Sequence, residues 1–119
     1  MQRERLEARF FDLAARSGKP RGLRWLDAEW QDAVTFVRDR RSGQIAALVG
    51  ITVRFEAVPG GGMEENPNVA NLRDATALFN FVRGRWITEG RVLFNMSPDS
   101  AIDRYHDQYE PVPAPETER

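Results

Sequence analysis

The sequence predicts an α+β domain: a single curved antiparallel sheet of about five strands, two hairpins around a long central strand, flanked by an N-terminal and a C-terminal helix. Three observations lead there. Residues Gln44 to Val58 keep a period of two, with Ile45, Ala47, Val49, Ile51, Val53, Phe55 and Ala57 all apolar. Two turn signals, Arg40-Arg41-Ser42-Gly43 and Arg83-Gly84, sit between runs of strand character. Both ends of the chain show helical spacing instead.

Taken in order, Gln2 to Arg16 reads as a helix, because Leu6, Phe10, Leu13 and Ala14 fall on one stripe and Gly18 and Pro20 end it. Gly22 to Trp30 reads as a first strand, with Leu26, Ala28 and Trp30 on one face and Leu23, Trp25, Asp27 and Glu29 on the other. Ala33 to Arg38 is the next strand. Pairing Asp39 with Gln44 places Phe36 opposite Ala47 and Val34 opposite Val49, so four apolar residues share a face. The long strand follows, rich in β-branched residues, and Gly50 is its natural bend or bulge.

Residues Val58 to Arg73 hold three consecutive glycines, two prolines and three asparagines, a loop long enough to act as a flap. They contain no Gly-Lys-Ser or Gly-Lys-Thr and so no phosphate-binding loop of that type. The second hairpin, Asp74 to Asn95, pairs Phe81 with Trp86 and, continued in register, Phe79 with Thr88, Ala77 with Gly90 and Ala75 with Val92. One of its faces is apolar. The other is mixed and carries Leu78, Val82, Ile87 and Leu93. Ser97-Pro98-Asp99 opens the last helix with a capping residue, a first-turn proline and an acid at the positive helix end. The domain is expected over residues 1–110, with 111–119, PVPAPETER, as a disordered proline-rich tail.

Composition narrows the function classes. The chain has 119 residues, enough for one core, with 41% hydrophobic and 29% charged residues. It has no cysteine, which excludes thiol catalysis and cysteine-ligated metals. No apolar run approaches membrane-spanning length and no secretory h-region opens the chain, so a cytoplasmic protein without a membrane partner is expected. The formal net charge of −1 gives no global field to gather nucleic acid, although 16 of the 17 basic residues are arginine.

Candidate chemistry is sparse. His106, the single histidine, lies three residues after Asp103 and could be oriented as a base; Asp27 beside Glu29 could act as an acid or base. The residues favour the plainer readings: an exposed ion pair for His106 and solvated strand positions for Asp27 and Glu29. No metal site and no cofactor is expected, since no second histidine or cysteine is present to join a ligand set. Trp25, Phe79, Phe81 and Trp86 could wall a ligand pocket between helix and sheet. Arg38, Arg40, Arg41 and Arg54, or Arg83, Arg85 and Arg91, could hold an anion or RNA if the fold grouped them with aromatics.

The order of elements resembles the nuclear-transport-factor-2-like and cystatin-like cone folds, where a curved sheet wraps a helix, and also small dimeric secretion chaperones. The first of these families carries more helix ahead of its sheet than this chain does. That resemblance implies a ligand pocket or an enzyme site under the helix. The residues themselves favour a non-enzymatic interaction module: a homodimer burying Leu78, Val82, Ile87 and Leu93, with a protein partner or small ligand as further possibilities.

Overall fold

The computed structural model describes residues 2–67, 69 and 73–115. It is an α+β fold with one open, curved antiparallel sheet of six strands. In chain order the elements are α1 (Arg3–Arg16), β1 (Leu23–Asp39), β2 (Ile45–Ala57), β3 (Arg73–Val82), β4 (Arg85–Ile87), β5 (Val92–Phe94), α2 (Pro98–Arg104) and β6 (Tyr109–Pro111). The sheet order is β4-β3-β2-β1-β6, with β5 also paired to β3.

The first hairpin forms in the expected register, Phe36 opposite Ala47 and Val34 opposite Val49. The two expected strands before the turn are instead one 17-residue strand with two irregularities. Leu26 is an extra residue between Trp25 and Asp27, which pair with the adjacent Phe55 and Arg54. This bulge shifts the alternation by one. Trp25 therefore joins Ala28 and Trp30 against the core, and Leu26 is left exposed. Farther along, Gln31, Asp32 and Ala33 together face Gly50. The Gln31 side chain occupies the space that a Cβ on Gly50 would need, so the bend expected at Gly50 is made by its partner strand bulging over it.

The second hairpin turns through Arg83 and Gly84, both at positive φ, and sets Phe81 opposite Trp86 as expected. Its return strand is split. Ala77 pairs with Val92 and Ala75 with Phe94, two residues out of the continuous register. Residues Thr88 to Arg91 leave the ladder because Gly90, at φ +76°, packs directly on the backbone of Leu13 and Ala14 in α1. A slip of two keeps the parity, so Val92 and Phe94 still face the core.

The sheet has a core on each face. On one, Phe10 and Ala14 of α1 are fully buried over Trp25, Val49, Ile51, Val53, Ala77 and Phe79. On the other, α2 places Ala101 over Val37, Ala46, Leu48 and Leu78. Ser97 caps α2 by accepting from the Ser100 N–H at 3.2 Å. The helix is shorter than expected and ends at Arg104, yet Ile102, Tyr105 and Tyr109 all still reach this second core. Pro111, expected in a tail, is the last residue of β6 on the sheet edge, and Val112 donates its N–H to the Phe36 carbonyl. An edge strand accommodates a proline because one side of its backbone needs no partner. Residues 116–119 of that segment lie outside the described residues.

The helix does not cover its face completely. Fourteen residues give α1 a length of about 21 Å, against a body 47 Å long. Arg3 in its first turn donates to the carbonyls of Gln31 and Asp32 at 2.6 and 2.7 Å, so the sheet beyond Val34 extends past the start of the helix.

Candidate functional site

The aromatic residues expected to wall a pocket divide into two groups. Trp25 and Phe79 are core. The Phe10 ring lies between them and Trp30, with centroids 6.3, 5.8 and 5.3 Å away. The Trp25 indole N–H is satisfied by the Lys19 carbonyl at 2.9 Å. Phe81 and Trp86 lie beyond the helix start, half-buried, with ring centroids 5.0 Å apart, and Phe36 stands 5.6 Å from Trp86.

This aromatic trio sits at the end of the sheet where both hairpin turns lie, since Ile45 pairs with Phe81. Arginines gather there. Arg38 and Arg40 both pair with Glu110, at 3.6 and 3.3 Å. Arg83 and Arg85 are exposed and have no ion-pair partner among the described residues. Arg54 is elsewhere, paired with Asp27.

Asp27 and His106 are not brought together. Asp27 belongs to a solvated ladder on the outer sheet face that also holds the Arg24–Glu56 pair and the Thr52–Asp74 hydrogen bond. His106 is exposed; its Nδ1 is 2.9 Å from the Asp103 carbonyl and its Nε2 3.2 Å from the Asp107 carboxylate. The anticipated Asp103 partner is thus its backbone rather than its side chain. Among the described residues no three acidic or histidine side chains converge as metal ligands.

Of the residues expected at an interface, Leu78 is buried beneath α2, and Leu93 packs against the same cluster. Val82 is half-buried and Ile87 is exposed, and both belong to the β3–β4 hairpin. The glycine-rich connection, in its described part, folds on itself and on the start of β1: Gly61 lies against Gly22, and Glu64 accepts from the Gly60 and Gly62 N–H groups at 3.0 and 2.9 Å. Those two N–H donors hold the Glu64 carboxyl below the usual carboxylate range.

Two concave surfaces were not apparent in the sequence. One is a shallow, open groove of about 490 Å³ along the flank of α1 where it meets β1, with Phe11 and Trp30 as its apolar part and Glu4, Glu7 and Asp12 along it. Glu7 and Asp12 pair within the helix with Arg3 and Arg16, while Glu4 has no ion-pair partner among the described residues. The other is a smaller polar cleft of about 160 Å³ on the opposite sheet face, floored by Ala46 and Leu78.

Comparison with protein-family models, curated proteins and solved structures finds no match to this chain.

Proposed function

We propose that this chain is a non-enzymatic interaction module that forms a homodimer, with the hairpin end of each copy docked in the α1 groove of the other. The observation that carries this reading is complementarity between two surfaces of one chain. The hairpin end presents Phe81 and Trp86 on one face and Val82, Arg85 and Ile87 on the other, with Arg83 in the turn between the strands. The groove presents Phe11 and Trp30 beside Glu4, Glu7 and Asp12. Aromatic anchors with an arginine rim are the composition of interface hot spots. Reciprocal insertion buries both surfaces twice and closes a two-fold dimer.

Sedimentation equilibrium tests the reading. The wild type is expected to dimerise, Arg85→Glu to shift the equilibrium toward monomer, and Arg85→Glu combined with Glu4→Arg to restore part of the association. A wild type that stays monomeric, or a dimer indifferent to both charge changes, sinks it. Salt-sensitive binding of single-stranded RNA at Phe81 and Trp86 would assign the hairpin end to nucleic acid instead.

A further inference from the structure

The geometry points to the polar cleft on the α2 side of the sheet as a binding site for a small zwitterion of the α-amino-acid class. This inference uses no residue of the α1 groove, since the cleft opens on the opposite sheet face, although Asn80 in it pairs with Ile87 of the hairpin end. Its volume of about 160 Å³ is well below the roughly 300 Å³ at which drug-sized sites begin, which restricts it to a small ligand.

The walls are charged with both signs, and the opposite charges do not neutralise each other. Glu89 and Arg91 both line the cleft, yet neither has an ion-pair partner among the described residues. The Asn80, Gln44 and Tyr109 side chains lining it likewise make no hydrogen bond within the described residues. Polar side chains left unused around one concavity are free to engage a ligand.

The backbone that carries the two charges is held in place by the connection it belongs to. Glu89 and Arg91 flank Gly90, which is buried against α1 on the other side. The Thr88 hydroxyl accepts from the Gly90 N–H at 3.0 Å and donates to the Leu78 carbonyl at 3.4 Å. The Leu78 N–H donates in turn to the Arg91 carbonyl at 3.1 Å. Such anchoring lowers the ordering cost of binding.

Across the cleft stands Asp39, whose carboxylate accepts from the Ser42 and Arg41 N–H groups and from the Gln108 amide. These donors, Ser42 first, keep its carboxyl below the usual range. It is thus a fixed negative charge on the side opposite Glu89 and Arg91.

A ligand with one carboxylate and one ammonium fits this arrangement. The Arg91 guanidinium takes the carboxylate in its planar fork. Glu89, two residues from Arg91, receives the ammonium, and Asp39 adds negative charge from across the cleft. Asn80 and Gln44 can donate or accept at either end, and Ala46 and Leu78 meet the carbon between them.

The test is a titration of ¹⁵N-labelled full-length protein with each of the twenty free amino acids, followed by amide shifts. Acetate and methylammonium serve as single-charge controls. The expected result is saturable shifts at Gln44, Asn80 and Arg91 for one or more amino acids, with neither control reproducing them. Arg91→Gln and Glu89→Gln, both at exposed positions, should each weaken binding by about tenfold or more while leaving the remaining spectrum intact. Absence of saturable shifts with any amino acid overturns the assignment. Equal responses to the single ions, or affinity unchanged in both variants, overturn it as well.

Discussion

Replacing Gly90 with alanine isolates how α1 is fitted to the sheet. Gly90 is at φ +76°, and a Cβ there would lie 2.6 Å from the Leu13 Cβ, 2.8 Å from the Ala14 nitrogen and 3.0 Å from the Leu13 carbonyl carbon. The left-handed conformation alone costs an L-residue about 1–2 kcal/mol. The contacts are mainly with helix backbone, so α1 has to retreat from the sheet rather than rotate a side chain. Forcing an extra methyl into such packing costs about 1–3 kcal/mol more. The expected total is about 2–5 kcal/mol, a large part of the stability of a domain this size. Gly43→Ala is the control: φ is +73°, and no atom lies within 4 Å of the new Cβ. It should lose only the conformational part. Urea denaturation of both variants at matched slope gives the difference. If Gly90→Ala costs no more than Gly43→Ala, to within about 0.5 kcal/mol, the helix does not rest on Gly90 and the explanation given for the split return strand fails with it.

Other perturbations bear on the remaining elements. Phe10→Ala removes a fully buried ring that contacts Trp25, Trp30 and Phe79; a loss of about 3–5 kcal/mol is expected in chemical denaturation, with altered tryptophan fluorescence before unfolding. Ser97→Ala deletes the α2 cap and should cost about 1 kcal/mol, read from the same denaturation curves. Because the folded Asp39 carboxyl titrates below its unfolded value, its contribution is fully present above about pH 4 and is lost as pH falls through the lowered folded pKa. Asp39→Asn should therefore flatten the acid limb of a stability–pH profile, and an acid limb identical to wild type would remove Asp39 from that account. At Gly50 the clash is with the far end of the Gln31 side chain, so Gly50→Ala should be far milder than Gly90→Ala, and Gln31→Ala should relieve it in a double-mutant cycle.

These sites also show which parts of the architecture a sequence discloses. Both hairpin registers near their turns follow from local rules, since short turns fix the phase and a period of two carries it outward: Phe36 with Ala47, Phe81 with Trp86. The phase fails where the backbone departs from regular alternation for reasons outside the strand. Leu26 bulges out, which lets Trp25 join Phe10 and Phe55; strict alternation would put Trp25 and Trp30 on opposite faces, whereas both rings pack in one core. Residues Thr88 to Arg91 leave the ladder because a helix over 70 residues earlier needs the space. Glycine inside an apparent strand was the available sign, at position 90 as at position 50.

The polar cleft was hidden for a related reason. Its residues come from β1, the first turn, β2, β3, the β4–β5 connection and β6, and no two of its charged side chains form a recognisable motif. On a period-two reading Glu89 and Arg91 are merely the polar side of a hairpin. What changes their standing is the departure of Thr88 to Arg91 from the sheet, which anchors Gly90 on one face and leaves two unpaired opposite charges over Ala46 and Leu78 on the other. The same four residues thus fix α1 and shape the cleft. It follows that Gly90→Ala should disturb both stability and the amide environment of Asn80, whereas Phe10→Ala should disturb stability with a smaller effect at Asn80. Comparing the two spectra separates a cleft built by this connection from one that only happens to lie beside it.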